Sequence, residues 1–447
     1  MDRLVTRRAG PLGVRVGLGL LLLGLCTACG QGSSPETSPA TPATAATAAT
    51  APAIPTTPPA GSLTWTPHTP PVTAPQPQGA PGRLSLAVPP GDGQMAYLCA
   101  PAGTRAPRTV SIWLTRDGGV TWTPTAPVVV TVPGPIAPGT GPVIGCDMIT
   151  DEVQPGTLVA RASLPSDGCT DCTNTVSYVT TDYGAHWSQL RVPSNRYSYL
   201  RALATRGVSY AIFGIPPFPA TPNDNVFVKS TDGMRTWTTV PVPTVGDAQA
   251  VPQTPQTEQV MRLWLNPYNG ALLVETSNSY FNDEHFWASS TGTRWTALPA
   301  PPFPFAVGSF VVQQPFTAAP WRICGGDPAA FGTIGQNANT HSDDLACTAD
   351  SGAHWVTRHI DFSTHDGDLP DYTLVTIADD GGLLFSNGPT LERFTIGTGD
   401  VESLGPVPNA GLILYASGGG AGMLWAGPAD SYPDADPQGR IFTASYA

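Results

Sequence analysis

One eight-residue pattern recurs along the chain and restricts the fold more than any other feature. It reads "TRDGGVTW" at 115–122, "TTDYGAHW" at 180–187 and "TADSGAHW" at 348–355, so a hydroxyl residue, Asp, Gly and Trp keep fixed positions. Two further copies depart from it: "STDGMRTW" at 230–237 moves the glycine to Gly233, and "ASSTGTRW" at 288–295 has Ser290 in place of the aspartate. The five tryptophans are 65, 50, 58 and 60 residues apart, which indicates a repeated structural unit.

Each octet lies between two short segments of strand-forming residues, as in "TVSIWLTRDGGVTWTPT" at 109–125. This pattern predicts a strand, a turn and a second strand. In such a turn the carboxylate accepts hydrogen bonds from backbone N–H groups, the glycine adopts a positive φ, and the tryptophan buries a large face beside the next unit. The chain contains 48 Gly and 50 Pro residues and shows no sustained helical period, so we predict an all-β fold.

The octet resembles the Asp-box of BNR-type β-propellers, found in sialidases, sortilins, some xyloglucan-degrading enzymes and photosystem II assembly and stability factors. The resemblance implies a ring of four-stranded blades in which the Asp-box is a structural turn and takes no part in catalysis. It gives this structural role to Asp117, Trp122, Asp182, Trp187, Asp232, Trp237, Trp295, Asp350 and Trp355.

The repeat spacing sets the number of blades. Residues 61–447 hold seven units at the mean tryptophan spacing, with six as the alternative. The last unit shows only three strands, whereas "SLTWTPHTPP" at 62–71 echoes the outer strand "GVTWTPTAPVV" at 119–129. We therefore expect Leu63 to His68 to supply the fourth strand of the last blade, because closing the ring removes an exposed sheet edge.

The N-terminus has the features of a bacterial secretion signal. Four arginines precede an apolar run from Val16 to Leu25, which is too short for a membrane span of roughly 20 residues. Thr27 and Ala28 before Cys29 resemble the lipobox of bacterial lipoproteins, which implies lipidation of Cys29. Cys26 departs from that pattern because the family usually has Leu there, and secretion without a lipid is the alternative.

Residues 30–60 are almost entirely Ser, Thr, Pro, Ala and Gly and cannot bury a core. Such a segment is a semi-extended spacer that also suits O-glycosylation. The predicted organisation is a signal peptide at 1–29, a disordered spacer at 30–60 and a β-propeller at 61–447. We expect the chain to be lipid-anchored at the bacterial cell surface, or secreted if Cys29 is not lipidated.

Five long loops are the candidate ligand-binding regions. In propellers, ligands usually bind opposite the Asp-box turns, on loops that join the second and third strands of a blade or that cross between blades. Here these loops are 214–225, 276–286, 325–344, 360–371 and 427–439, and they combine aromatic with acidic residues. Solvated surface loops of an acidic protein are the alternative interpretation. The candidates for stacking on sugars or peptides, or for binding hydroxyls, amines or cations, are Phe218, Tyr280, Phe281, Asp283, Glu284, Phe331, Asp366, Asp368, Tyr432 and Asp434.

Catalysis is the less favoured prediction. A sialidase needs three arginines to clamp a carboxylate, a Tyr nucleophile with a partner Glu, and an Asp acid/base, but the Arg-Ile-Pro tripeptide that opens that family's pattern is absent. Glycoside hydrolysis generally requires a pair of carboxylates, and Glu284 with Asp368 is one such possible pair. Nothing in the spacing of these two residues along the sequence indicates that they act together. We predict a non-catalytic binding or assembly module for a protein or glycan and assign no catalytic residue. The alternative is a secreted sialidase-like or other glycoside hydrolase, which three convergent arginines or two facing carboxylates in a central pocket would favour.

The cysteines are expected to form disulfides. "CTDC" at 169–172 has a spacing found in zinc sites, but no second pair accompanies it and the compartment is oxidising. Loss of the signal and lipidation of Cys29 leave six cysteines, an even number. The candidate pairs are Cys324 with Cys347 on neighbouring strands, Cys99 with Cys146 on the first and second units, and Cys169 with Cys172 within one loop.

We predict no cofactor. The acidic segment "DGDLPD" at 366–371 offers the oxygen ligands that Ca²⁺ prefers, with a solvated turn as the alternative. The formal net charge of -12 disfavours nucleic acid as a partner. We expect a monomer that contacts the membrane only through its lipid.

Overall fold

The computed structural model describes most of the propeller region. The described residues are 63–71, 84–102, 109–130, 145–166, 169–194, 199–214, 225–241, 259–277, 284–303, 305, 310–313, 320–326, 344–360, 364–365, 369–370, 372–378, 380–408, 412–416, 422–427 and 440–446. Within these ranges, no helix is long and apolar enough to cross a bilayer.

Seven antiparallel sheets of four strands form a ring, which confirms the predicted all-β, seven-bladed β-propeller. The first strand of the chain, β1 (Thr66–His68), belongs to the last blade. Blade 1 consists of β2 (Ser85–Ala87), β3 (Ala96–Ala102), β4 (Thr109–Thr115) and β5 (Thr123–Pro124), with β6 (Val128–Val129) also paired to β4. Blade 2 consists of β7 (Gly145–Thr150), β8 (Leu158–Ser166), β9 (Cys169–Thr180) and β10 (Ser188–Gln189).

The next three blades have the same antiparallel order. Blade 3 consists of β11 (Tyr199–Arg206), β12 (Val208–Gly214), β13 (Asn225–Ser230) and β14 (Thr238–Thr239). Blade 4 consists of β15 (Gln259–Leu265), β16 (Leu272–Ser277), β17 (Glu284–Ser289) and β18 (Thr296–Ala297). Blade 5 consists of β19 (Phe310–Gln313), β20 (Arg322–Gly326), β21 (Asp344–Thr348) and β22 (Val356–His359).

The last two blades complete the ring. A small hairpin of β23 (Thr364–His365) and β24 (Leu369–Pro370) lies between blades 5 and 6. Blade 6 consists of β25 (Tyr372–Ile377), β26 (Gly382–Asn387), β27 (Thr390–Thr395) and β28 (Val401–Pro406). Blade 7 consists of β29 (Leu412–Ala416), β30 (Gly422–Gly427) and β31 (Ile441–Tyr446), with β1 as its fourth strand.

The N-terminal strand closes the ring as predicted. β1 pairs antiparallel with β31, placing Thr66 opposite Thr443 and His68 opposite Ile441. The observed strand covers 66–68, shorter than the predicted Leu63 to His68, but Leu63 still donates its N–H to the carbonyl of Leu404 at 2.9 Å. Closure therefore joins the two ends of the described chain within one sheet.

The core consists of seven hydrophobic clusters, one in each seam between neighbouring blades. Alternate residues of a strand supply opposite seams, because successive side chains point to opposite faces of a sheet. In β16, Leu272 and Val274 pack between blades 3 and 4, whereas Leu273 packs between blades 4 and 5. All three are fully buried, which explains why the strands read as short continuous apolar runs.

Two of the three predicted disulfides are present. Cys99 of β3 is bonded to Cys146 of β7 and joins blades 1 and 2, with 6.0 Å between the Cα atoms. Cys324 of β20 is bonded to Cys347 of β21 within blade 5. The side chains of Cys169 and Cys172 lie outside the described part of the structure, so that pair stays a prediction.

Candidate functional site

The octet turns join the third and fourth strands of blades 1 to 5, and their polar groups bond within the turn. In blade 2, Thr180 Oγ1 donates to Asp182 Oδ1 at 2.8 Å and accepts the N–H of Gly184 at 2.9 Å. Asp182 also accepts the N–H of His186 at 3.0 Å, and its second oxygen lies 2.7 Å from the imidazole Nδ1 of His186. The backbone N–H of His186, followed by its ring, lowers the pKa of Asp182 to about 2. The Asp182 carboxylate therefore forms its hydrogen bonds within its own turn.

The two divergent octets keep the turn by different means. In blade 3, Gly233 and Met234 both have positive φ, and the buried Met234 side chain fills the seam between blades 2 and 3. In blade 4, which lacks the aspartate, Ser289 Oγ accepts the N–H of Gly292 at 2.9 Å. Substitution within the octet is therefore compatible with the same chain reversal.

The octet tryptophans pack against the preceding blade, which corrects the prediction that they face the next unit. Trp187 of blade 2 packs in the seam with blade 1, and Trp237 of blade 3 packs in the seam with blade 2. Trp237 Nε1 also donates to the carbonyl of Arg191 in blade 2 at 2.6 Å. Successive side chains of a strand point to opposite faces of the sheet. The tryptophan is the last residue of the octet, and its side chain lies on the face that packs against the preceding blade.

Strand order assigns the loops to two faces of the ring. Because the strands of a blade are antiparallel, connections between first and second strands and between third and fourth strands share one face. The octet turns lie there, and we call it the octet face. Connections between second and third strands, and between blades, lie at the opposite side, the loop face.

The five long loops all begin and end on the loop face, as predicted. The segments 214–225, 276–286, 325–344 and 427–439 join the second and third strands of blades 3, 4, 5 and 7, and 360–371 crosses from blade 5 to blade 6. Glu284 opens β17 opposite Ser277, although its side chain is not described. The other ligand candidates lie outside the described residues: Phe218, Tyr280, Phe281, Asp283, Phe331, Asp366, Asp368, Tyr432 and Asp434.

A cavity of about 520 Å³ lies where the first strands of blades 2 to 6 come together. Its polar lining comes from Glu152, Arg161, Tyr199, Arg201, Arg262 and Thr376. The remaining lining is apolar and includes Met261, Val311, Val312 and Val375. Three arginines therefore face one cavity in a chain whose overall charge is negative.

β-Bulges direct side chains into this cavity from three blades. The pairing register skips one residue in β11, in β15 and in β25, at Arg201, Met261 and Val375 respectively. All three extra residues line the cavity. A bulge leaves one residue without a cross-strand partner and changes the direction of its side chain, so the bulges add Arg201, Met261 and Val375 to the lining.

Two of the three arginines form ion pairs with carboxylates. Arg161 forms an ion pair with Asp147, its cross-strand partner, and donates from Nη1 to the carbonyl of Leu200 at 2.7 Å. Burial lowers the pKa of the Arg161 guanidinium from its usual value. Arg262 lies across from Glu275, with 3.9 Å between Nε and Oε2.

Arg201 differs from the other two cavity arginines. It is exposed, and among the described residues it forms no ion pair with a carboxylate. Its guanidinium carbon lies 5.8 Å from the centre of the Tyr199 ring, and that of Arg161 lies 4.2 Å from the same ring. A Cβ at position 214 would lie 2.6 Å from Arg201 Nε, so Gly214 leaves the space through which this side chain passes.

The cavity changes character between its two ends. β11 runs from the loop face to the octet face, so Tyr199 and Arg201 lie at the loop-face end of the strand. Glu152 donates its N–H to the carbonyl of Leu203, closer to the octet face.

The sequence gives no sign that three arginines line one cavity, because the arginines lie on separate blades and none belongs to a motif. Among the described residues there is no cluster of three or more potential metal ligands.

No protein-family model matches the chain, and no curated protein does. Among solved structures, it is similar to YCF48 from Cyanidioschyzon merolae, with 14% identity, a TM-score of 0.45, and coverage of 85% of this chain and 98% of the other. It is also similar to YCF48 bound to D1 peptide, with 14% identity, a TM-score of 0.45 and coverage of 87% and 97%. A third is the α-L-arabinofuranosidase Arb93A from Fusarium graminearum, with 12% identity, a TM-score of 0.42 and coverage of 86% and 98%.

The strand order and the closed ring define the chain as a seven-bladed β-propeller. Its distinguishing local feature is a cavity at the centre of the ring, lined by three arginines, one of which has no carboxylate partner in the described part of the chain.

Proposed function

We propose that this chain is a surface-anchored β-propeller that binds a protein or glycan partner on its loop face. The observation that carries the proposal is the division between the faces: the octet turns bond internally, whereas the long loops begin and end on the opposite side, which also holds the Arg201 end of the cavity. In this proposal the octets are Asp-box turns that stabilise the ring, and the partner contacts the loop face.

The direction of β1 shows at which face the described part of the chain begins. As the fourth strand of blade 7, β1 runs from the octet face to the loop face, like β5 after the first octet. The chain therefore enters the ring at the octet face. In this proposal a lipid on Cys29, followed by residues 30–60 as a spacer, anchors the chain upstream of β1, and the partner binds on the loop face.

Two exposed valines on opposite faces provide a matched test. Val129 is 49% exposed at the loop-face end of blade 1, and Val120 is 69% exposed in the first octet. Each is replaced in turn by a photo-crosslinking phenylalanine analogue in the full chain, produced in bacterial cells. We expect illumination to give a discrete adduct from position 129 and none from position 120. Adducts from position 120 alone, or from neither position, would contradict the proposal.

The loop candidates can be tested in the same assay. Tyr280→Ala, Glu284→Gln and Asp368→Asn should each weaken the adduct from position 129 and leave the melting temperature unchanged. A glycan array probed with the purified chain distinguishes a carbohydrate partner from a protein. Full adduct yield in all three variants would remove these residues from the proposed binding surface.

Glycoside hydrolysis is the second candidate, favoured by Arg161, Arg201, Arg262 and Tyr199 on one cavity. The ion pairs of Arg161 and Arg262 weigh against a clamp of three available guanidinium groups. Fluorogenic sialosides and arabinofuranosides test this directly. Turnover by the wild-type chain that Arg201→Gln abolishes would establish the hydrolase, whereas the binding proposal predicts no turnover.

A further inference from the structure

We propose that the Arg201 end of the central cavity binds a carboxylate group carried on an apolar body. The inference deepens the proposed function, because it names the chemistry of the group that a partner inserts into the ring.

The charge of the cavity is the first argument. Arg161 is compensated by Asp147 and Arg262 by Glu275. Of the other charged lining residues, Glu152 lies toward the octet face, and Arg201 at the loop-face end has no carboxylate partner in the described structure. One guanidinium matches a singly charged anion, and its planar donors suit the two oxygens of a carboxylate. A phosphate dianion would lack a second available cation.

The position of Arg201 is the second argument. Its place on the β11 bulge directs it out of the pairing register, and Arg161 holds the adjacent Leu200 carbonyl. Gly214 leaves room for the Arg201 side chain. Because the backbone of Arg201 belongs to a sheet strand, binding a ligand there orders less of the chain than binding to an arginine on a mobile loop would.

The surroundings of Arg201 are the third argument. Tyr199 lies beside it, and its ring bears a hydroxyl that donates or accepts a hydrogen bond. Met261, Val311, Val312 and Val375 form the apolar part of the wall, where the aliphatic body of a ligand would lie. Glu152 lies toward the octet face, so the anion is expected at the opposite, loop-face end.

Hexanoate is the probe, with hexanamide as its uncharged counterpart of similar shape. Titration calorimetry on the detergent-solubilised full chain should detect hexanoate and show at least about tenfold weaker binding of hexanamide. Arg201→Gln should weaken hexanoate binding by at least about tenfold, and Arg201→Lys by less. Arg206→Gln is the matched control, since Arg206 lies at the octet-face end of the same strand and donates to the Tyr268 carbonyl. It should bind hexanoate like the wild type.

A measurement on the wild-type chain does not depend on how the variants fold. Phenylglyoxal modifies accessible arginines, and peptide mass mapping reports each site. Hexanoate should protect Arg201 and leave Arg206 reactive. Equal binding of hexanamide, tighter binding of inorganic phosphate, or unchanged reactivity of Arg201 would overturn the inference.

The two proposals fail separately. If the loop face captures a partner but neither hexanoate nor Arg201→Gln affects capture, the carboxylate inference is wrong and the binding function stands. If hexanoate binds through Arg201 but no partner reaches the loop face, the site stands and the proposed function is wrong. Methyl glucuronide and a short aliphatic peptide with a free C-terminus then distinguish a sugar acid from a peptide as the natural source of the carboxylate.

Discussion

Cys324 and Cys347 lie directly opposite each other on adjacent antiparallel strands of blade 5, with their Cα atoms 4.1 Å apart. The bond closes a loop with a sequence separation of 23 residues. Removing it with the double variant Cys324→Ala and Cys347→Ala frees that loop in the unfolded chain. We expect the free energy of unfolding to fall by about 3 kcal/mol in urea titrations. Non-reducing peptide mapping that finds either thiol free in the wild-type chain would contradict the prediction.

The octets should affect stability and not ligand binding. Asp182→Ala removes the acceptor of the His186 N–H and the partner of the Thr180 hydroxyl, so we expect a loss of about 1–3 kcal/mol. Trp187→Ala vacates part of the seam between blades 1 and 2 and should cost about 3–5 kcal/mol. His186→Ala is the control, because this side chain is 90% exposed and should change stability by less than about 0.5 kcal/mol. Loss of ligand binding in Asp182→Ala at full stability would mean that the faces are assigned the wrong way round.

Deleting residues 61–70 should open blade 7. The deletion removes β1 and exposes the edge of β31, and an exposed edge promotes pairing with other chains. We expect aggregation or loss of a cooperative melting transition, measured by light scattering and calorimetry. Deleting residues 40–49 of the spacer, a segment of equal length, should leave melting unchanged. An intact transition in the chain without 61–70 would show that β1 is dispensable for closure.

Asp151 should make stability depend on pH. Its buried carboxylate accepts the N–H groups of Val153, Gln154 and Thr205, and burial raises its pKa to about 6. Between pH 4 and pH 6 the folded state therefore holds a proton that the unfolded state releases, so stability falls as pH rises through this window. The effect is on the order of 3 kcal/mol at most.

Asp151→Asn should remove this dependence. Asn266 occupies the corresponding turn of blade 4, where its oxygen accepts two backbone N–H groups, so the amide suits this turn. Urea unfolding at intervals between pH 4 and pH 7 should give a declining curve for the wild type, and the variant should lack this component of the decline. Parallel curves for the two proteins would show that another group titrates.

The repeat, the seven blades, the closing strand and the disulfides at Cys99 with Cys146 and Cys324 with Cys347 could all be predicted from the sequence. These features depend on short-range chemistry: each octet satisfies its hydrogen bonds within eight residues, and the spacing of its tryptophans counts the units. The seam that each tryptophan fills was predicted wrongly, because the side-chain direction depends on how the blades pack.

The central cavity could not be predicted from the sequence, because it forms only when the blades pack into a ring. Arg201 enters it through a bulge that exists only in the pairing of β11 with β12, and nothing in the local sequence "YLRALATR" at 199–206 encodes that register shift. Arg161 and Arg262 come from other blades, and which arginine stays uncompensated depends on the cross-strand positions of Asp147 and Glu275. Local patterns specify turns and strands because those interactions close within a few residues, whereas the charge of a cavity built from five blades is set by the packing of the whole ring.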